Sequence, residues 1–266
     1  MPDVMSLVRA SLIWSGRGFG RVARICNGLA ASTLRMRHLR TDAEHDWGRF
    51  YTDDADIDRG LFRWEEHLVE RFVRRGDRIL IVGSGTGRDV IALSARGHDV
   101  CGVDPAAAAV AIAREACSRR GIVATLVCGY FEDAVLPGPF DVIVFSYLCY
   151  GLIPEARRRI DVLRKAKGEL APGGRILISC VWNAERRRSR LFALVQLGAR
   201  LRRSDWHPEE GDVIDPMSSR QPRFHYEHIF VPGELEAEAA AAGLRVLYQD
   251  RSSSDYWLLV LTAEVP

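Results

Sequence analysis

A β-prone run that ends in three closely spaced glycines restricts this chain more than any other feature. Ile79-Leu80-Ile81-Val82 is followed at once by Gly83-Ser84-Gly85-Thr86-Gly87, with Arg88 and Asp89 opening the next segment. Glycine tolerates the positive φ of a sharp strand-to-helix turn and lets a ligand come close to the backbone. In the dinucleotide fingerprint, a small residue falls five positions after the first glycine, where helix packs on strand. Here that position holds Arg88, and the spacing is GxGxG. A pyrophosphate-binding dinucleotide loop is therefore disfavoured.

Around this turn, short β-rich runs alternate with helical stretches. Arg78–Val82, Asp99–Val103, Val123–Val127, Asp141–Phe145 and Arg175–Val181 read as strands. Asp89–Arg96, Pro105–Arg120 and Glu155–Glu169 read as the helices between them. Near-continuous apolar strands separated by helices predict a parallel sheet covered on both faces. Helix Gly233–Ala242 leads to strands Arg245–Gln249 and Tyr256–Glu264, joined by the short segment Asp250–Asp255. That connection is too short for a parallel crossover, so these strands are expected to form an antiparallel hairpin. Residues 183–231 interrupt the rhythm with a basic helix and a loop rich in Pro, Asp, Glu and Ser. Upstream, 1–40 and 41–75 read as helical with a break around Tyr51–Asp56.

The glycine turn followed by Gly102-Val103-Asp104 resembles motif I and the acidic loop of the class I S-adenosylmethionine-dependent methyltransferases. Pro139-Phe140-Asp141 and Leu170-Ala171-Pro172-Gly173-Gly174 are similar to that family's entries into the fourth and fifth strands. The resemblance implies a Rossmann-like, doubly wound seven-stranded α/β sheet, mostly parallel, with an antiparallel C-terminal hairpin. It divides the chain into an N-terminal helical extension or lid (1–44) and a catalytic domain (45–266) carrying a substrate-facing insertion (183–231). By the same resemblance S-adenosyl-L-methionine is the cofactor. Gly83, Ser84, Gly85 and Gly87 would hold its methionine end, and Asp104 with Pro105 its ribose. Tyr130 and Phe131 would meet the adenine, with Ser146 at the fourth-strand end. A carboxylate at a strand's C-terminal end can accept two O–H donors, which agrees with that role for Asp104. Two positions depart from the family pattern. Ile81 stands where an acid often precedes the first glycine, and Tyr130 stands where an acid contacts adenine.

For the acceptor, the fourth-strand end reads Ser146-Tyr147-Leu148-Cys149-Tyr150, without the N/D-P-P-Y/F signature of amide- and base-nitrogen methylation. Tyr150, His225 and His228 are the candidate catalytic residues, the histidines as bases for a hydroxyl acceptor. A metal is not expected, since the flanks of His225-Tyr226-Glu227-His228 read as strand rather than helix. Asp212 and Asp215 are too isolated to read as a magnesium site.

The formal net charge of +2 disfavours a general nucleic-acid binder. Seven arginines fall within residues 1–40 and seven more within 186–203. Each run reads as the solvated face of a packed helix, or as a contact for an anionic small-molecule acceptor. Leu7, Leu12, Ile13, Trp14 and Phe19 among the first arginines fit a lid over the site or a peripheral membrane contact. The six cysteines are scattered without a CxxC pair and no stretch spans a bilayer, so a reducing, cytoplasmic setting is expected. Two rival readings remain open: a non-catalytic binding protein of the same fold, and an RNA or protein methyltransferase using the arginine runs. Oligomeric state is left open.

Overall fold

The computed structural model describes residues 22–23, 25–47, 54–185, 190–217, 223–253 and 256–263. The apolar N-terminal stretch from Leu7 to Phe19, and arginines 186–188, lie outside these residues.

The GxGxG strand, β1 (Arg78–Val82), is central in a seven-stranded sheet. It pairs in parallel with β2 (Asp99–Asp104) on one side and β4 (Phe140–Phe145) on the other. β3 (Thr125–Cys128) extends the sheet beyond β2, and β5 (Leu170–Val181) extends it beyond β4. β9 (Tyr256–Ala263) then runs antiparallel to both β5 and the edge strand β8 (Leu244–Asp250). The order β3-β2-β1-β4-β5-β9-β8 is thus parallel with an antiparallel C-terminal hairpin. Because the chain turns in opposite directions from β1 to β2 and from β1 to β4, a crevice opens at their carboxyl ends.

Strand parity builds two core layers. Leu80 and Val82 face α7 (Ala156–Glu169) and α9 (Glu234–Ala241), packing with Val162, Leu163 and Leu235. Ile79 and Ile81 face α4 (Arg63–Phe72), α5 (Arg88–Ser94) and α6 (Ala107–Arg119), packing with Leu68, Val90 and Val110. Ile81 is fully buried, so an acid there would sit against aliphatic side chains. The short helix α3 (Asp54–Asp58) anchors Ile57 in this second layer.

A third, smaller core joins the chain's first described part to the segment after β5. It contains Ala31 of α1 (residues 25–31), Leu34, and Met36 and Leu39 of α2 (Met36–Trp47). They pack with Val195 of α8 (Arg190–Leu201), Trp206, and Tyr226 of β7 (Arg223–His228). Gly198 makes this possible: a Cβ there would lie 2.6 Å from the Ser32 Cβ. In the sequence Gly198 reads as a weak point of the helix, whereas in the fold it is a site of close approach. The segment expected as loop holds β6 (Asp212–Met217), paired antiparallel with β7. Pro216 hides this strand from a propensity reading, but a two-stranded sheet has edges that tolerate a missing N–H. Among the described residues, no helix is long and apolar enough to cross a membrane.

Candidate active site

The crevice at the carboxyl ends of β1, β2 and β4 contains a cavity of about 190 Å³. It is lined by Gly83, Ser84, Gly85, Asp104, Pro105, Tyr130, Phe131 and Ser146, together with Ala106, Leu152 and Ile153. Of the residues expected at the cofactor, only Gly87 is outside the lining; it caps α5 at φ +94. Its role is to make the turn.

Asp104 is the polar centre of this cavity. Its Oδ2 accepts the Gly85 N–H at 2.9 Å and its Oδ1 accepts the Ala106 N–H at 2.8 Å. Burial pushes the carboxyl above its ordinary range, while these two backbone donors pull it back. Each oxygen keeps lone-pair capacity for a further donor. Gly85, at φ +49, would direct a Cβ into open space, and Ser84 Oγ is buried without a hydrogen-bond partner. Together they form a polar cradle beside the apolar walls of Phe131, Leu152 and Ile153.

The floor is ionic. Arg88 Nη2 reaches Glu65 Oε1 at 2.7 Å and Asp89 Oδ1 at 2.6 Å, and its guanidinium lies 4.2 Å from the Phe62 ring centre. Ser146 Oγ donates to Asp89 Oδ2. Burial, and then Asp89, push the Glu65 carboxyl up to about 8 against the pull of Arg88. An arginine after the third glycine thus fits because α4 supplies a buried partner from outside the glycine motif.

The rim belongs to α2. Tyr130 donates to Glu44 Oε1 at 2.7 Å, Arg40 stacks over the Tyr130 ring at 4.2 Å, and Arg40 pairs with Glu132 at 2.9 Å. Glu44 thus brings a carboxylate to the Tyr130 hydroxyl in the cavity lining. Because α2 spans Met36–Trp47, a boundary between 44 and 45 falls within one helix.

A second cavity, of about 500 Å³, adjoins the first, and Tyr147 and Leu152 line both. Tyr147 and Leu148 have φ of 37° and 64°. Two successive non-glycine residues in the left-handed region cost roughly 1–3 kcal/mol each, a strain typical of functional turns. His225 and Glu227 face this cavity, with Trp182 and Tyr256 among its walls.

Strand parity separates the two histidines. His225 and Glu227 share one face of β7, and Phe224, Tyr226 and His228 share the other. His228 is fully buried, with Nδ1 2.7 Å from Asp212 and Nε2 3.2 Å from Glu234. Burial disfavours its charged form, but these hydrogen bonds outweigh that and raise its pKa. Glu209, Asp212 and His228 bring ligand-type atoms within 4.8 Å of one another. Arg159 reaches Glu209 at 3.2 Å, and the Tyr226 hydroxyl donates to Asp212 at 2.8 Å. Those contacts account for the group without a cation.

Tyr150 is likewise fully buried, and its hydroxyl donates to Glu238 Oε2 at 2.7 Å beside the Arg159–Glu238 pair. The expectation that Tyr150 and His228 face the acceptor is corrected: both point into the protein. Tyr150→Phe should lower stability by about 1.5–3 kcal/mol, the worth of a hydrogen bond to a charged group. Thermal unfolding combined with cofactor titration checks this, and an unchanged melting temperature with lost cofactor binding would reverse the assignment.

The sequence reading missed Glu44, Glu65 and Glu227. Period-two alternation along Arg223–His228 was the available signal for Glu227. No local signal exists for Glu44 and Glu65, which arrive from helices remote in sequence.

Residues 79–174 match a family model described as a methyltransferase domain. An uncharacterized methyltransferase of Staphylococcus carnosus is 31% identical over 44% of this chain and 54% of its own length. A ribosomal protein L11 methyltransferase of Geobacter metallireducens is 34% identical over 42% of this chain and 34% of its own. The chain thus spans only about half and a third of these curated relatives. The structure of the CcbJ methyltransferase from Streptomyces caelestis superposes with a TM-score of 0.59 at 18% identity, covering 76% of this chain and 89% of that one. With the glycine turn and its acidic partner inside the matched segment and the strand order around them, residues 79–174 form a methyltransferase domain within a sheet of the class I S-adenosylmethionine-dependent methyltransferase fold.

Proposed function

We propose that this protein transfers a methyl group from S-adenosylmethionine to an oxygen or nitrogen of a small molecule. The observation that carries the reading is the pair of cavities meeting at Tyr147 and Leu152, with the Asp104 carboxylate in one and His225 and Glu227 in the other. The cofactor supplies an already activated methyl group, so the protein's work is positioning and exclusion of water.

Asp104 would take the ribose hydroxyls with its remaining lone pairs, and the backbone at Gly85 leaves room for close approach. Glu44, held by Tyr130, extends the rim toward a second polar edge. Asp89, which lines the cavity beside Arg88, would offer a carboxylate to a cationic group at the floor, the task left open by Ile81. Tyr147 turns the wall between the cavities toward both. On the acceptor side, His225 or Glu227 stands where a proton must leave a hydroxyl or amine.

α2 across the rim supports the lid reading of the N-terminal segment. Cavities of about 190 and 500 Å³ suit a small acceptor. Calorimetry with S-adenosylhomocysteine tests the cofactor half: saturable one-to-one binding is expected. No heat at millimolar ligand would remove both the catalytic reading and the cofactor-binding rival.

A further inference from the structure

The second cavity carries a chemistry of its own, and reading it rests on the proposed methyl transfer. Its described lining is mostly aromatic or aliphatic, with Tyr147, Trp182 and Tyr256 as the aromatic residues and Asn183, His225 and Glu227 as polar members. The one acid among its described lining residues is Glu227, and no lysine or arginine is found there. Glu227 is half-buried, and its carboxylate makes no hydrogen bond or ion pair among the described residues. His225 stands two residues before it on the same strand face. The buried acids Glu65 and Glu238, by contrast, are paired with Arg88 and Arg159. An unpaired carboxylate between aromatic walls is a complement to a cation: the ring faces attract positive charge and the carboxylate supplies a charge-assisted acceptor.

We infer that the second cavity selects an amine as the methyl acceptor, with Glu227 binding its ammonium form. An anionic acceptor, the other sense in which the arginine runs read from sequence, would meet Glu227 as a like charge. The bound ammonium has no lone pair and must lose one proton before its nitrogen can react. Glu227 takes that proton, leaving a neutral amine and a carboxylic acid, and the proton then passes to water. Burial holds the Glu227 carboxyl above its ordinary range, with His225 pulling the other way, which makes it a stronger proton acceptor than an exposed carboxylate.

A matched probe set tests this in the full chain: tyramine, 4-hydroxyphenylethanol and 4-hydroxyphenylacetate, which share a ring and differ in amine, alcohol and carboxylate. Titrations are run with S-adenosylhomocysteine present, and the affinity for S-adenosylhomocysteine itself is measured in parallel. Tyramine is expected to bind about tenfold or more tightly than either analogue, and Glu227→Gln to abolish that preference. The same variant should keep its S-adenosylhomocysteine affinity, which shows that it folds. Equal or absent binding of the three probes, preference for the carboxylate, or a preference that survives Glu227→Gln overturns the inference. If S-adenosylhomocysteine binds while the amine preference is missing, only this inference falls; if it does not bind, the proposed methyl transfer falls with it.

Discussion

Replacing Arg88 with methionine is expected to destabilise the fold by about 3–5 kcal/mol, the usual cost of leaving buried charge without its partner. The residue is about nine-tenths buried and reaches Glu65 and Asp89 within 2.7 Å. Methionine fills much of the volume but returns none of the charge. Two carboxylates would then face each other beneath the cofactor cavity, with only the Phe62 N–H donating to Glu65 and Ser146 donating to Asp89.

The loss should depend on pH in a defined sense. Glu65 is raised to about 8 in the folded protein from an ordinary value of 4.5. Between those values the folded state holds a proton that the unfolded state has released. This group's contribution to stability therefore falls as pH rises across that window. Removing Arg88 takes away the attraction that keeps Glu65 from rising further. The two stabilities should thus fall in parallel up to about pH 7, and the gap between wild type and Arg88→Met should widen as pH rises through about 8, where wild-type Glu65 ionises and the variant's does not. Denaturant unfolding at several pH values measures it; a gap that is constant or narrows would show that the cluster is not ionised as described.

Asp104→Asn is expected to weaken S-adenosylhomocysteine binding by about 2–3 kcal/mol, roughly 30- to 150-fold. Two effects add. The amide loses the charge that would strengthen hydrogen bonds to the ribose. It also has one oxygen where the carboxylate has two, and both of those are held by backbone donors, Gly85 and Ala106. One of those N–H groups would face an NH₂ group, and the glycine turn would loosen. Affinity within a factor of three of wild type would remove Asp104 from the site.

Much of this arrangement is legible in the sequence because it is local. Each β1 to β5 run is apolar and short, and the connections between them are helical or tight. The brief link after Asp250 forces the antiparallel hairpin. The glycine spacing and Asp104 sit on adjacent parallel strands, so their meeting follows from the pairing of Val82 with Val103. What could not be read is non-local. Ile81 and Tyr130 look like lost acids until α4 is seen to place Glu65 on Arg88 beneath the cavity and α2 to place Glu44 in its lining. His225 and His228 already read as strand residues, whose odd spacing sends them to opposite faces, but which face meets the cavity depends on the pairing of β7 with β6. Pro216 concealed the partner strand that would have established this.

The most direct measurement of the central claim is a crystal structure with S-adenosylhomocysteine bound. The ribose hydroxyls should lie within hydrogen-bond distance of Asp104, the adenine near Phe131 and Tyr130, and the sulfur on the side where Tyr147 separates the two cavities. A ligand bound elsewhere, or one whose ribose does not touch Asp104, would contradict the account.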